Sequence, residues 1–556
     1  MNREGKSTTA VKLLRPFLEK YWLAPFDFWA SLQIIRTSLL VSNSKARAVD
    51  VLTHGLKMVA SNTSLSLEQL LEGHVSDVPA HIPVRGVVTD SRRVEFGDVF
   101  FARPGLRLDG RHFISEAIER GASAVVAAGR LDIEQCAIPV VSVSDFDRAL
   151  GDAASRFFGH PSRALRLVGV TGTNGKTTIA HLLGHALAAF ETTGVIGTLG
   201  AGLIGDVNET GHTTPEVVET QRLLREYVDK TAKFAVMEVS SHGIAQGRIE
   251  GLTFHTAIFT NLTRDHLDYH GDMRSYAAEK AKLFAHADLQ YGVFNADDVY
   301  STAMKAKANG RALWYRLGGR PEDDVLCGAL AGSEGEGITL EIDGPYGKAQ
   351  LNSPLIGRFN AYNLLASVAA LLTLDISLDD ACLALGQVKP APGRMQWLGG
   401  QDEPVVVVDY CHTPDSLRSA LSALRPVTAR ALWCVFGCGG DRDPGKRPEM
   451  GAIAVAGSDC AVLTDDNPRS EASQDIIDDV LEGIEDKKDV LVLSDRGAAI
   501  EHAIKNAVVG DVILIAGKGH ETYQERDGVR HPFSDVAAAR NALSLHHAGY
   551  HQGQAQ

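Results

Sequence analysis

The residues best equipped for chemistry are Gly172-Thr173-Asn174-Gly175-Lys176-Thr177-Thr178, where two glycines, a lysine and two adjacent hydroxyls follow the apolar run Leu165–Val170. A glycine turn between a buried strand and a helix running from Lys176 to Ala189 aims backbone N–H groups at a polyphosphate. Lys176 would add a point charge and Thr177 a hydroxyl for a metal ion. The spacing departs from the strict G-x-x-x-x-G-K-[ST] pattern, because Val170 stands five residues before Gly175 and the nearer glycine is Gly172. An ordinary glycine turn has no need of Lys-Thr-Thr at a helix start, so a nucleotide site is expected.

Such a site needs acids. Glu238 stands at the end of the apolar strand Phe234–Val239, so its carboxylate emerges at a carboxyl edge, where ligands bind in open α/β sheets. It is a magnesium candidate. A second strand, Ala257–Leu262, runs into Thr263-Arg264-Asp265-His266-Leu267-Asp268-Tyr269-His270-Gly271, which places two histidines and two aspartates in one loop. A polar loop with helix caps is the alternative reading. His266 could bind metal directly, although Mg²⁺ prefers oxygen ligands and keeps several waters.

The elements that must position these groups form an α/β chain of three domains. A small α/β N-terminal domain covers 63–161 and ends at the punctuation Gly159-His160-Pro161-Ser162. A central P-loop domain with a mostly parallel sheet, of ATPase type, covers 162–395, with a further strand at Gly292–Ala296. A C-terminal Rossmann-like domain covers 396–550, where apolar runs at Val405–Val408, Ala431–Phe436, Ala461–Leu463, Val490–Leu493 and Val512–Ala516 alternate with helices.

Composition limits the function classes. The 556 residues suffice for roughly three domains, and 44% hydrophobic with 22% charged residues is ordinary for a soluble globular protein. A net charge of −14 argues against nucleic acid or an anionic membrane as the main partner. Seven cysteines, mostly in apolar runs, suit reduced thiols in a cytoplasm, and Cys434-x-x-x-Cys438 lacks the second pair that a metal site needs. Residues 1–62 read as an N-terminal extension. Met1–Ala60 carries nine Lys or Arg against four acids around a broken apolar cluster from Trp22 to Ile35. That cluster is too interrupted for a membrane span and lacks the form of a signal peptide. A membrane-surface or partner-binding helix is one reading of it; a translation start at Met58 is the other.

Five blocks together resemble the ATP-dependent Mur ligases of peptidoglycan precursor synthesis: Gly172–Thr178, Met237-Glu-Val-Ser-Ser-His242, Thr260–Gly271, Gly393-Arg-Met395 and Asp409-Tyr-Cys-His-Thr-Pro-Asp415. The resemblance runs from about Leu65 to Tyr550 and is strongest to the branch that adds the third residue of the stem peptide. Cys411 stands where that family usually has alanine. The extension has no counterpart in it.

The resemblance implies a soluble cytoplasmic enzyme, expected as a monomer, that activates a carboxylate with ATP as an acyl phosphate and joins it to an amine. Positioning and charge neutralisation dominate such phosphoryl transfers. It gives Gly172 to Thr178 to the phosphates, with Lys176 contacting them directly. Thr177 and Glu238 would hold one Mg²⁺, and His266 would help hold a second. Lys280 matches the lysine this family carries as a carbamate, whose oxygens suit magnesium; by spacing alone it would be a solvated helix lysine, as Lys282 is. Asn360, Asn363, Arg394 and Asp409 resemble residues near the nucleotide, though interdomain hydrogen bonds would also explain them.

For the substrate UDP-MurNAc-L-Ala-D-Glu, the resemblance assigns Thr89, Ser91, Leu106, Arg107 and Leu108 to the UDP end. It assigns His212, Thr213, Thr214, Ser240, Gln246 and Arg248 to the muramoyl peptide, while Thr213-Thr214-Pro215-Glu216 also reads as a helix N-cap. Asp466-Asn467-Pro468-Arg469 resembles the signature of ligases that add meso-diaminopimelate, where an arginine can clamp the distal carboxylate that lysine lacks. Arg442, Gly517 and Glu521 would complete that pocket, and an Asn-Pro turn is the plain alternative. Three other functions compete. A folylpolyglutamate synthetase leaves the Asp-Asn-Pro-Arg block unexplained, a P-loop kinase or switch fits the loop spacing poorly, and a non-catalytic binder would have lost metal or phosphate residues.

Overall fold

The computed structural model describes residues 65–554 apart from 77, 80, 106–108, 130–135 and 333–336. The N-terminal extension, and Leu106, Arg107 and Leu108 of the expected UDP site, lie outside the described residues.

Three main sheets follow one another along the chain. The first has four parallel strands in sequence order: Gly86–Val88, Asp98–Ala102, Ala124–Ala128 and Val140–Val143. The second has eleven strands. Its centre runs Val325–Ala331, Arg311–Leu317, Tyr291–Asn295, Thr256–Phe259, Arg166–Thr171, Phe234–Glu238 and Thr193–Gly197, all parallel, with antiparallel strands added at both edges. The third has six strands, parallel except for the edge strand Gln396–Gly399.

The central strands are mostly apolar because both faces are covered, as parallel sheets require. Alternation sends Val168 and Val170 to one face, where they pack against the helices Lys176–Ala188 and Arg358–Thr373. It sends Leu167 to the other face, with Met237 and Phe254. Gly169 has no side chain because a Cβ there would stand 2.8 Å from the Phe254 ring. The register then levels the strand ends. Glu238 lies opposite Val170, and Thr171 opposite Phe259, so the phosphate turn and Glu238 leave the sheet side by side.

Local differences from the sequence reading have physical reasons. The expected strand Ala257–Leu262 stops at Phe259, because Thr260 and Asn261 turn their side chains to the phosphate loop instead of continuing the ladder. Thr213 and Thr214 do not cap a helix. The helix Val217–Asp229 has Glu216 at its N-cap with no side-chain cap bond, and the Thr214 hydroxyl donates to the Glu238 carbonyl at 2.9 Å. The linker at Gly159 contains a short helix, Pro161–Ala164, entered through His160 at φ 54°.

Candidate functional site

The turn Gly172–Thr178 is braced by hydrogen bonds from the neighbouring strand end. Thr173 N–H donates to Asn261 O at 2.9 Å, Asn174 N–H to Asn261 Oδ1 at 3.0 Å, and Thr260 Oγ1 to Asn174 O at 2.6 Å. Gly175 sits at φ 91° as the helix N-cap, and a Cβ there would stand 2.5 Å from Asn363 Oδ1. Only glycine fits both the left-handed backbone and that approach. Lys176 folds back over the loop, its Nζ donating to the carbonyls of Gly172 and Thr173, both at 2.9 Å. Burial lowers its pKa, and Glu238 and Asp265 oppose that shift.

Glu238 is buried and already oriented. Its Oε1 accepts from Thr198 N–H at 2.7 Å, and its Oε2 accepts from the hydroxyls of Thr177 at 2.8 Å and Thr198 at 3.1 Å. Thr177 Oγ1 in turn accepts from Arg394 at 3.0 Å, so a guanidinium from the far side of the cleft reaches the phosphate loop. A hydroxyl and a carboxylate are hard oxygen donors of the kind magnesium selects. No group of three or more His, Cys, Asp or Glu positioned to hold a metal exists among the described residues. Magnesium at nucleotide sites uses one or two carboxylates with phosphates and water, so this donor set fits it.

Lys280 lies beneath the turn. It is 1% exposed, its Nζ donates to the same Gly172 carbonyl at 2.9 Å, and it stands 4.6 Å from the centre of the Tyr276 ring. The solvated-helix reading is overturned: burial and the nearby Lys176 hold its pKa well below the ordinary lysine value. His266 sits at φ 57°, with Nε2 3.3 Å from Asp265 Oδ2. Burial lowers its pKa to about 3, so the imidazole is neutral at pH 7.

Across the cleft, Asp409 leaves the carboxyl edge of the third sheet opposite Ala516 and accepts from Met395 N–H at 2.7 Å. Burial pushes its pKa up, against Arg394 and that hydrogen bond. Asn363 Nδ2 donates to Asn360 Oδ1 at 3.0 Å, and Asn360 Nδ2 donates to Ile356 O at 2.9 Å. Both asparagines are buried, in the first and second turns of the helix Arg358–Thr373. The segment Asp466–Arg469 follows the strand Cys460–Leu463. Asn467 Nδ2 donates to Glu521 Oε2 at 2.9 Å, and Lys518 bridges Asn467 Oδ1 and Glu521 Oε2 at 2.9 and 2.7 Å. Arg469 donates to Gly440 O at 2.6 Å, and Arg442 to Asp441 O at 2.8 Å.

One cavity of about 1120 Å³ joins these parts. Its walls include Thr173 to Thr178, Glu238, His266, Asn360, Asn363, Arg394 and Asp409. They also include Thr213, Ser240, Arg442, Asp466, Asn467, Arg469, Gly517 and Glu521. Gly172, Lys280 and Pro468 sit behind the wall.

The expected UDP residues Thr89 and Ser91 do not line it, nor do His212, Thr214, Gln246 and Arg248 of the expected peptide set. Thr89 and Ser91 follow the strand Gly86–Val88 of the first sheet, Ser91 opening the short 3-10 helix Ser91–Arg93, and Ser91 Oγ donates to Glu116 at 2.7 Å. His212 is exposed, and Arg248 pairs with Thr214 O at 2.7 Å and Glu216 at 3.1 Å. Gln246 accepts through its carbonyl from Arg103 at 2.8 Å, which ties the first domain to the second.

Three stretches match family descriptions: 83–158 "Mur ligase family, catalytic domain", 170–371 "Mur ligase middle domain" and 393–519 "Mur ligase, glutamate ligase domain". The chain belongs to the Mur ligase family. A UDP-N-acetylmuramoyl-L-alanyl-D-glutamate--2,6-diaminopimelate ligase of Chromobacterium violaceum is 48% identical over 83% of this Mur ligase and 95% of its own length. One of the same description from Pseudomonas aeruginosa is 47% identical over 86% of this chain and 98% of its own. A solved structure of a ligase so described aligns at 36% identity with a TM-score of 0.64, covering 87% of this chain and all of that one.

Several residues of this Mur ligase site carry no local sequence signal. Thr198, which fixes Glu238, stands forty positions before it. Asp265 gathers His266, Lys446 at 3.6 Å and His412 at 3.8 Å. Burial would raise Asp265, but His412, Lys446 and His266 outweigh it and hold its pKa well below the usual range. Arg264 grips Asp443 at 3.0 and 3.3 Å. These contacts tie the 263–271 loop to the C-terminal domain. The seven cysteines are free thiols, and burial pushes Cys434 and Cys438 up to about 12.

Proposed function

We propose that this Mur ligase joins meso-diaminopimelate to UDP-MurNAc-L-Ala-D-Glu with hydrolysis of ATP, acting as a cytoplasmic monomer. One observation carries the reading: a phosphate loop and an Arg469–Glu521 pocket open into the same cavity. The γ-phosphoryl group of ATP would pass to the glutamyl carboxylate, giving an acyl phosphate and ADP. The amine of diaminopimelate would then attack the acyl carbon and expel inorganic phosphate, losing one proton as the amide forms.

The chain's own residues divide this work. Lys176 would leave two neutral loop carbonyls for anionic phosphate oxygens, gaining a charge–charge attraction in place of charge–dipole contacts. Arg394 is placed to neutralise charge that develops between the loop and the carboxylate. Arg469 and Arg442 would take the distal carboxylate of the amino acid, and Glu521 its distal ammonium. Thr177 and Glu238, with His266 and Lys280, would hold Mg²⁺, which supplies charge screening between two anionic reactants. Lys280 would serve as a carbamate: its neutral amine adds to the carbon of CO₂ and one proton leaves. Thr89 and Ser91, with the 106–108 segment, would hold UDP, and Thr213, Ser240 and Arg248 the peptide.

Among the described residues no helix is long and apolar enough to cross a membrane. The test is ADP release with diaminopimelate and lysine compared side by side, in the presence and absence of UDP-MurNAc-L-Ala-D-Glu. Turnover that needs the UDP substrate and prefers diaminopimelate supports the reading; turnover with lysine at equal kcat/KM refutes it. Arg469→Ala is expected to lower kcat/KM for diaminopimelate by about a hundredfold, the loss of a charge-assisted bidentate contact.

A further inference from the structure

A second, deeper arginine lies under the amino-acid pocket. Arg496 opens the helix Arg496–Asn506 and is 1% exposed. Its Nε and one terminal nitrogen take the Asp535 carboxylate side-on, at 2.7 and 2.8 Å. The remaining donors reach two backbone carbonyls: Ala516 O at 2.9 Å and Asp465 O at 3.2 Å. Those carbonyls immediately precede the two halves of the pocket, Gly517–Glu521 and Asp466–Arg469.

Sheet topology gives the bridge its purpose. The strands that feed the two halves, Val512–Ala516 and Cys460–Leu463, are not neighbours, because Leu432–Phe436 runs between them. No ladder bond therefore joins their ends directly; at the pocket, Asn467 and Lys518 link the halves through Glu521, and below it Arg496 does. Arg496 spans that gap beneath the intervening strand. The two halves are in close contact above it, since a Cβ on Gly517 would overlap the Asp466 carboxylate. Asp466 and Glu521 also help hold the Arg496 pKa above its ordinary value, although burial opposes it, so the guanidinium is counter-charge to the pocket floor.

Stability alone does not call for this arrangement. A cation in the first turn of a helix opposes the helix dipole, and a buried ion pair can commonly be replaced by apolar groups without loss of stability. An arginine fork is, however, well suited to hold three partners in fixed directions.

We propose that Arg496, held by Asp535, is a positioning residue that sets amino-acid selectivity by fixing the distance between the two halves of the pocket. The inference rests on the functional reading above. Diaminopimelate carries a distal carboxylate and a distal ammonium, and so must engage both halves at once, whereas lysine has only the ammonium. Loosening the bridge penalises the ligand that needs both.

The test uses full-length protein with Arg496→Met combined with Asp535→Leu, which removes both charges together, and separately Arg496→Lys, which keeps a cation but not the fork. In each, KM for diaminopimelate is expected to rise at least about tenfold, as misplacement of positioning groups by a fraction of an ångström produces. The preference for diaminopimelate over lysine is expected to fall by a similar factor. KM for ATP and for the UDP substrate should stay within about twofold, and amide hydrogen exchange should quicken at 466–469 and 517–521. A folded variant with unchanged KM for diaminopimelate and unchanged selectivity overturns the proposal, as does a parallel rise in all three KM values. If the double variant does not fold, the same readings on Arg496→Lys decide. A wild-type enzyme indifferent to diaminopimelate would defeat the functional reading first. Wild-type preference that survives in the variants would defeat this inference alone.

Discussion

Glu238→Gln separates chemistry from folding. The wild-type carboxylate accepts three hydrogen bonds, from Thr198 N–H, Thr198 Oγ1 and Thr177 Oγ1. In the variant the amide oxygen must face Thr198 N–H, the one donor that cannot turn. The amide NH₂ then points at two hydroxyls, both of which can rotate to accept. No buried polar group is left unpaired, so the folding cost is that of exchanging charge-assisted for neutral bonds, about 1–2 kcal/mol. For a chain of this size that lowers Tm by only a few degrees. Activity should suffer far more. The anionic oxygen next to Thr177 is lost, and with it at least about 3 kcal/mol of charge stabilisation, or more than a hundredfold in kcat. The assay is ADP release at saturating substrates over a magnesium titration, paired with calorimetry. Activity within threefold of wild type at high magnesium would refute the role given to Glu238. A Tm loss large enough to unfold the protein at assay temperature would refute the hydrogen-bond accounting.

Other outcomes follow from the same geometry. Lys280→Ala should lose nearly all activity and regain part of it with formate or acetate; a flat response to added carboxylate, or an unmodified Lys280 in a high-resolution map, speaks against a carbamate. Burial lowers His242 to about 4 and His266 to about 3 in the folded protein, whereas both titrate near 6.5 when unfolded. The unfolded state therefore binds more protons between those values, and stability should fall as pH drops from about 6.5 towards 4. Calorimetry should give a Tm that declines across this window and declines less in His266→Gln; an unchanged slope in that variant would exclude His266 as a source. Arg264→Ala and Asp443→Ala should be non-additive in kcat/KM by about 1 kcal/mol if their pairing closes the cleft, and strict additivity would show that it does not.

Much of the site was legible because its motifs are local. Gly172 to Thr178 is a continuous turn whose glycines are required by backbone angle and close approach, and Glu238 ends an apolar strand that could only be buried. Arrangements that depend on two distant segments were not legible. Thr213-Thr214 reads as a helix cap by composition, yet the Thr214 hydroxyl goes to the Glu238 carbonyl, a choice made by tertiary packing. Thr260 looked like the continuation of a strand, and it became a strut under the phosphate loop because that loop lay within reach.

By itself the sequence determined the class of chemistry: residue types at short fixed spacing decide which groups can cradle a phosphate, offer oxygen to magnesium or clamp a carboxylate. The tertiary structure decided which of those groups act together. Strand order brought Arg469 and Glu521 into one pocket with Arg496 beneath it, and packing across the cleft brought Arg394 onto Thr177 and Asp443 onto Arg264. Burial, which no local pattern reports, placed Lys280 under the phosphate loop and not on a solvated helix face, and holds its pKa well below the ordinary lysine value. The physical reason is range: backbone angles and hydrophobic periodicity are settled within a few residues, whereas desolvation and charge pairing depend on what the fold packs against each group.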